Sequence, residues 1–261
     1  MSDGSDVTMA VHGRDTETTA PKRPRSVELL GLPGAGKSTL VDLIGVRSGM
    51  FSIPDLIRRE RLRHRPLRRH RLAMRVMPES LALRVLTAPT PDAKDAAAFA
   101  LAHQRHLETV MRASVEVENE PNRRLAVELL FESWSEHGYG ERIARPGEWV
   151  IFHEAVLQRL AFLMALLPPY SEQSQRLVDS APLPDAIVFL DLPLELAVER
   201  VITRAKEFMM TEIMASMDDA LASLRAKLEE RHVPMLLIDA TRPPDASVQA
   251  ALPFLRSLLT R

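Results

Sequence analysis

Residues 31–38 read Gly-Leu-Pro-Gly-Ala-Gly-Lys-Ser, and they lie between a short apolar run and a helical pattern. Glycines at these positions leave backbone N–H groups free to point at one bound anion, because no side chain blocks the approach. A helix that begins behind such a loop adds the partial positive charge of its N-terminus. The pattern predicts a loop that binds nucleotide phosphates. Its residues are Gly31, Leu32, Pro33, Gly34, Ala35, Gly36, Lys37, Ser38 and Thr39.

Three side chains at the end of this loop have predicted roles. Lys37 is expected to reach the β- and γ-phosphates, the Ser38 hydroxyl to ligate Mg²⁺, and Thr39 to contact further phosphate oxygens. The apolar run at 26–30 predicts a strand before the loop, and the pattern at 37–48 predicts a helix after it. This strand–loop–helix context makes a chance match to the motif remote.

Strand and helix patterns alternate along much of the chain. Further apolar runs at 149–152, 186–190 and 233–238 predict buried strands. Continuous apolar runs are typical of parallel strands that are covered on both faces. The sequence therefore predicts an α/β domain over 26–261, with a parallel sheet between two helical layers and a helical insertion at 55–145 after the first βα unit. The polar residues 1–25 predict a disordered leader.

Composition excludes several classes of protein. The net charge of −1 supplies no global field that would attract nucleic acid or an anionic membrane. The chain has no cysteine, which excludes disulfides and cysteine-based metal sites. The longest apolar runs, such as 160–167, are well short of the roughly 20 residues that span a bilayer. No secretory signal pattern is present at the N-terminus, so we expect a cytoplasmic protein without a membrane span.

Missing motifs narrow the choice among proteins with such a loop. The only asparagines are Asn119 and Asn122, and neither lies in the Asn-Lys-x-Asp segment with which common GTPases read guanine. The Leu-Ser-Gly-Gly signature of transporter ATPases is also absent. The chain has no room for the additional helical lid domain of the larger ring ATPases.

Four segments together resemble the P-loop nucleoside and nucleotide kinase-like family, which includes thymidylate and adenylate kinases. They are the loop with its flanks at 27–40, the strand with its polar end at 149–159, the strand and Asp-Leu-Pro turn at 184–193, and the last strand and turn at 233–246. The resemblance covers about 26–50 and 145–261. The residues between them match no pattern that we can name, and similar kinases place their acceptor specificity in that region.

The resemblance implies phosphoryl transfer from Mg·ATP, with residues in stated roles. Arg200 and Arg204 are four residues apart, hence on one helix face, where similar kinases use arginines to close over the phosphates. The strand that ends in an acidic pair in this family ends here in His153-Glu154. Glu154 is the first candidate for the metal-orienting acid or general base, and Asp191 is the second candidate metal ligand. His153 either contacts substrate or is a polar strand end.

The segment 58–75 contains nine arginines, at positions 58, 59, 61, 63, 65, 68, 69, 71 and 75. One interpretation is a site for an anionic ligand or nucleic acid, and the other is a solvated, highly charged helix or flap. Pro66 argues against one unbroken helix, and no aromatic residues alternate with the arginines to stack on bases. Nucleic-acid binding is therefore the less favoured interpretation.

Two functions follow from these patterns. The first is a small-molecule kinase that transfers the γ-phosphoryl group of Mg-ATP to a nucleoside, nucleotide or other metabolite held by the helices of 55–145. The alternative is a nucleotide-binding regulator or assembly ATPase with weak or no phosphotransfer, which His153 favours. The sequence leaves the acceptor, the choice between ATP and another triphosphate, and the oligomeric state open.

Overall fold

A computed structural model of the chain describes residues 24–63, 90–168, 171–203 and 213–260. The described strands are β1 (Arg25–Leu30), β2 (Phe51–Ser52), β3 (Trp149–Phe152), β4 (Ala186–Asp191) and β5 (Met235–Asp239). The described helices are α1 (Lys37–Ser48), α2 (Ile53–Arg63), α3 (Ala93–Ala102), α4 (Gln104–Val115), α5 (Glu120–Ile143), α6 (Val156–Ala165), α7 (Glu172–Ser180), α8 (Leu194–Thr203), α9 (Met214–Glu230) and α10 (Pro244–Leu259). The leader predicted for 1–25 lies almost entirely outside the described residues.

The five strands form one parallel sheet in the order β2-β3-β1-β4-β5. The central strand is β1, where Val27 lies opposite Ile151 of β3 and Ala186 of β4. Because all strands run in one direction, the loops that follow them meet at one edge of the sheet. The predicted phosphate loop leaves the middle of that edge.

Both faces of the sheet are covered, which confirms the predicted fold class. Neighbouring side chains in a strand point to opposite faces, and those of β1 from Val27 to Leu30 and of β4 from Ala186 to Leu190 are all buried. Helices α1 and α10 pack against each other, and α6 packs against β1, α5 and α9. These contacts fix α1 and α6, the helices that follow β1 and β3 at the loop edge.

Three elements differ from the sequence-based prediction. The short strand β2 and the helix α7 were not predicted, because two residues have no periodicity and α7 has only two buried side chains. The helical pattern over 92–118 predicts a single helix, but the structure has two, α3 and α4, which meet at His103. The His103 amide donates to Phe99 O and Ala100 O, and this caps α3. Among the described helices, none has the length and apolarity needed to cross a membrane.

Candidate active site

The loop between β1 and α1 has positive φ at three glycines, Gly31, Gly34 and Gly36, a conformation that favours glycine. Gly31 has a φ of 146°, and a Cβ there would lie 2.5 Å from Leu190 O on β4. Gly36 precedes α1 with a φ of 93°, in the left-handed region. Gly31 therefore lets the loop pass close to β4, and Gly36 sets the direction in which α1 begins.

The N-terminus of α1 points into this loop without a side-chain cap. No described side chain bonds to the first-turn N–H groups, and the first turn contains no acidic residue. Ser38 and Thr39 are exposed in the same turn. Uncapped N–H groups and the helix dipole together form a site for an anion.

Lys37 is buried within the loop that it follows. Its Nζ donates hydrogen bonds to Gly31 O at 2.8 Å and to Leu32 O at 3.2 Å. Burial lowers the pKa of Lys37 to about 8, Glu154 acts in the opposite direction, and Arg159 lowers it further. A bound phosphate would give this buried ammonium a negatively charged partner.

Helix α6 supports the loop from the side of β3. The Gly31 amide donates to Gln158 Oε1 at 3.2 Å, across 127 residues of sequence. Helix α6 is held in turn by the buried Glu28 of β1, whose Oε2 accepts from the Leu157 amide at 3.0 Å. Neither contact was predicted, because both depend on how α6 packs and not on local sequence.

Glu154 forms an ion pair with Arg159, and the two atoms Oε2 and Nη2 are 2.7 Å apart. Both residues line a cavity of about 490 Å³ together with Lys37 and Ser38. The other lining residues fall into two groups. Pro33, Gly34, Gly36 and Thr39 belong to the loop and the start of α1, and Gln158 lies with the apolar Leu125, Leu129, Phe162, Val201 and Met217. The structure thus brings Glu154 to the phosphate loop, and adds Arg159, to which the sequence assigned no role.

His153 is half-buried between β3 and α6. Burial lowers its pKa, Lys37 and Arg159 lower it further, and Glu154 and Asp42 act in the opposite direction. The imidazole is therefore neutral at physiological pH, since an unperturbed histidine has a pKa of about 6.5. His153 is not among the residues that line the 490 Å³ cavity.

Arg200 connects the phosphate loop to the turn after β5. Its Nη1 donates to Ala240 O at 3.1 Å and, at 3.4 Å, to Gly34 O. Arg200 also lines a second cavity of about 220 Å³, with residues of the loop, with Arg242 of the turn, and with Pro244 and Ser247 of the first turn of α10.

The other predicted site residues are placed as follows. Arg204 lies outside the described residues. Asp191 is exposed at the end of β4 and lines neither cavity. Among the charges beside Asp191 is Asp218, whose pKa is raised, first by burial and then by Asp219, Asp191 and Glu195. Asp191 is thus grouped with other acids, and unlike Glu154 it does not line the cavity at Lys37.

The Arg-rich segment is described only as far as residue 63. Arg59 donates at 2.8 Å to both carboxylate oxygens of Glu148 and at 2.8 Å to Ile143 O. Glu148 directly precedes β3, so this pair lies at the edge of the sheet opposite the phosphate loop. Arg59 therefore has a structural role, and residues 64–75 lie outside the described part of the chain.

Comparison with known proteins gives a likeness of fold. No protein-family model and no curated protein matches the chain. Two solved structures of deoxyadenosine kinase from M. mycoides do match. The structure with the products dCMP and a flexible dCDP has a TM-score of 0.52 at 11% identity, over 89% of this chain and 99% of that chain. The structure with bound dATP has a TM-score of 0.50 at 12% identity, over 88% and 98%.

The likeness extends over nearly the whole of the compared enzyme. At this level of identity it concerns the fold and not the substrate. The described chain has the fold of the P-loop, kinase-like proteins, with its glycine-rich loop after the central strand.

Proposed function

We propose that this chain binds a nucleoside triphosphate with Mg²⁺ at residues 31–39 and transfers its γ-phosphoryl group to a small-molecule acceptor. The observation that carries the proposal is the position of Lys37. Its buried Nζ lies at the uncapped N-terminus of α1, where the loop opens into a cavity of about 490 Å³. A site of this kind positions phosphates and neutralises their charge, which are the two things that phosphoryl transfer needs.

Each residue has a defined part in the reaction. Loop amides and Lys37 bind the β- and γ-phosphates, and Arg200 is placed to support the donor from the side of the β5 turn. The acceptor hydroxyl oxygen forms the new bond to phosphorus, and its proton passes to Glu154 or to solvent. The bond from phosphorus to the β–γ bridging oxygen breaks, and the nucleoside diphosphate leaves with that electron pair.

The residues at the loop fit Mg²⁺. The exposed Ser38 hydroxyl and the Glu154 carboxylate offer oxygen ligands on one cavity, and Mg²⁺ sites of this kind take one or two protein oxygens besides phosphates and water. When bound, the ion would supply positive charge that neutralises the phosphates during transfer. Glu154 also pairs with Arg159, so the ion pair and the metal compete for this carboxylate.

A panel assay tests the proposal. Pure protein is incubated with Mg²⁺, γ-labelled ATP and separate nucleosides, nucleotides and sugars, and the label is followed into product. We expect transfer to at least one acceptor and no transfer with Lys37→Met, because its side chain has no charge. Binding of ATP without transfer to any acceptor in a broad panel would count against a kinase.

The second candidate is a nucleotide-binding regulator or assembly ATPase. Two observations favour it: a neutral His153 in place of an acid, and the ion pair that engages Glu154. His153→Asp separates the candidates. A large gain in ATP hydrolysis would indicate a site tuned away from catalysis, whereas loss of phosphotransfer would place His153 in a working active site.

A further inference from the structure

Arg159 is a cation of the phosphate site that no sequence motif indicates. It lies in the first turns of α6 and lines the 490 Å³ cavity together with Lys37 and Ser38. Its side chain is only 19% exposed, and Nη2 lies 2.7 Å from Glu154 Oε2. The guanidinium is thus fixed at the cavity wall, in contrast to the mobile charge of a surface arginine.

The hydrogen-bonding capacity of Arg159 is incompletely used within the described chain. A guanidinium has five N–H donors, and Nε of Arg159 is buried with no hydrogen-bond partner among the described residues. A buried donor without a partner is costly, by about 1–3 kcal/mol in a typical protein. A phosphate oxygen in the cavity would accept from the terminal N–H groups of this guanidinium.

The positive charges around the loop also favour the binding of an anion. Arg159 lowers the pKa of Lys37, so the two cations are close enough to repel each other. Glu154 offsets part of that repulsion. Glu136 on α5 lies near the same group, and burial raises its pKa, while His137 and Arg159 act in the opposite direction. A phosphate between Arg159 and Lys37 would relieve the repulsion between these two cations directly.

The two cavities indicate which phosphate lies near Arg159. The 220 Å³ cavity lies on the side of Arg200 and the β5 turn, and neither Lys37 nor Ser38 lines it. Both residues line the 490 Å³ cavity, which has Arg159 in its wall. In such a loop the lysine reaches the β- and γ-phosphates, so the terminal phosphate is expected in the cavity that Arg159 lines.

We infer that Arg159 binds the γ-phosphate of the triphosphate and that Glu154 is the positioning residue that holds it there. The inference rests on the proposed function only in that a nucleoside triphosphate occupies the loop. The competing explanation is a brace at the start of α6 that contributes stability and has no contact with the ligand.

Binding measurements on the full chain separate these explanations. The affinities of ADP and of a non-hydrolysable ATP analogue, each with Mg²⁺, are measured for the unmodified protein, Arg159→Gln and Arg159→Lys. The control is Arg176→Gln, which also breaks an ion pair to a glutamate but lies on the exposed face of α7. Thermal unfolding is recorded for every variant.

We expect Arg159→Gln to weaken the ATP analogue by about tenfold or more, the loss of a charged hydrogen bond, while ADP changes by less than about threefold. Arg159→Lys retains the charge but loses the planar fork, so we expect an intermediate loss for the ATP analogue alone. If Arg159→Gln fails to fold, Arg159→Lys decides. The inference is overturned if the variant that folds binds both ligands as the unmodified protein does, or loses affinity for both equally.

Glu154 is tested by substitution and rescue, with both nucleotides titrated in EDTA without Mg²⁺, so that its proposed role as a metal ligand does not contribute. Glu154→Gln leaves Arg159 charged but releases it, so we expect weaker binding of the ATP analogue with little change for ADP. Glu154→Asp restores the ion pair and should recover much of the affinity. A Glu154→Gln variant that is less stable but has unchanged selectivity for the ATP analogue would assign the pair to stability alone.

The outcomes also distinguish failure of this inference from failure of the proposed function. Absence of binding of either nucleotide to the unmodified protein overturns both. Selective loss in Arg159→Gln without any phosphotransfer in the panel assay leaves Arg159 as a γ-phosphate ligand and removes the kinase proposal.

Discussion

Glu28 on β1 accepts a hydrogen bond from the backbone amide of Leu157 on α6, with 3.0 Å between Oε2 and N. The carboxylate is fully buried, and its other oxygen lies 3.3 Å from His137 Nε2. A negative charge at a helix N-terminus is favourable, and here it fixes the helix that carries Gln158 and Arg159. Glu28 thus supports the phosphate site indirectly, because it holds the helix that carries Gln158 and Arg159.

Replacement of Glu28 by Gln is expected to lower the free energy of unfolding by about 1–3 kcal/mol, because a buried charged acceptor is lost beside His137 and the helix N-terminus. Urea unfolding measures the effect. Glu229→Gln is the matched control, since it breaks an exposed ion pair with Arg225 and should change stability by about 0.5 kcal/mol at most. Equal stabilities for the two variants would contradict the role assigned to Glu28.

Two glycines of the phosphate loop provide a second test, because an added Cβ would meet different surroundings at each of them. A Cβ at Gly31 would lie 2.5 Å from Leu190 O, whereas a Cβ at Gly36 would meet nothing within 4 Å. Both positions have positive φ, so alanine costs about 1–3 kcal/mol of backbone strain at either. Only Gly31→Ala adds a clash with β4, which overpacking data put at about 1–3 kcal/mol more.

Gly31→Ala is therefore expected to be clearly less stable than Gly36→Ala in thermal and urea unfolding, and both should bind ADP more weakly. A Gly36→Ala variant as unstable as Gly31→Ala would show that strain, and not contact with β4, dominates at this loop.

The loop was predictable because its chemistry is local. Gly31, Lys37 and Ser38 are close in sequence, and the strand and helix around them have strong apolar patterns. The parallel sheet followed from continuous apolar runs such as β4. In contrast, the contact of Gln158 with the Gly31 amide spans 127 residues and depends on the packing of α6 against β1. No periodic pattern in the sequence indicates a contact between residues so far apart along the chain.

The role of Glu154 illustrates the same limit. Its position after β3 predicted that it lies near the loop, but the pattern did not indicate Arg159 as its partner, because five residues is not a spacing that a helix brings together. Asp191 had an equally suitable sequence context, after a buried strand. The tertiary structure separates the two acids, since only Glu154 lines the cavity with Lys37.

Nucleotide binding is expected to depend on pH through Lys37. Burial lowers its pKa to about 8 from 10.5, so above about pH 8 the free protein loses the charge that a phosphate binds. Bound phosphate favours the protonated form, so ADP binding above pH 8 takes up a proton, and the affinity falls by up to about tenfold per pH unit.

Calorimetric titration at pH 8.5 in two buffers of different ionisation enthalpy measures this uptake. Lys37→Arg is the control, because arginine stays charged and any binding that it retains should be free of proton uptake. Equal uptake by both proteins would assign the proton to another group.

Stability at acid pH is expected to depend on His106. Burial lowers its pKa from 6.5 to about 4, and His103 adds to the shift. Because the folded-state pKa lies below the unfolded value, the unfolded chain binds the proton first as the pH falls. The contribution is absent above about pH 6.5 and destabilises the protein progressively between pH 6.5 and 4, by about 2 kcal/mol at pH 5.

Unfolding free energies of the unmodified protein and His106→Gln are compared at pH 7.5 and pH 5. The variant should lose about 2 kcal/mol less over this range. His232→Gln, at an exposed position, should retain the full acid sensitivity. Parallel pH profiles for all three proteins would exclude His106 as the acid-sensitive group.

The crossing of α3 and α5 depends on Gly138, because a Cβ there would collide with the backbone carbonyl of Asp95. Arg142, one turn further along α5, donates to the two Asp95 carboxylate oxygens at 2.7 and 2.9 Å. Gly138→Ala is expected to push the helices apart and to lower the free energy of unfolding by about 1–3 kcal/mol, despite the better helix propensity of alanine.

Gly45→Ala is the matched control in helix α1, where the nearest atom, Asp55 Oδ2, would be 3.4 Å away. There alanine should stabilise by about 0.5–1 kcal/mol. Urea unfolding of both variants checks the prediction, and a Gly138→Ala variant as stable as Gly45→Ala would mean that the two helices separate at no cost.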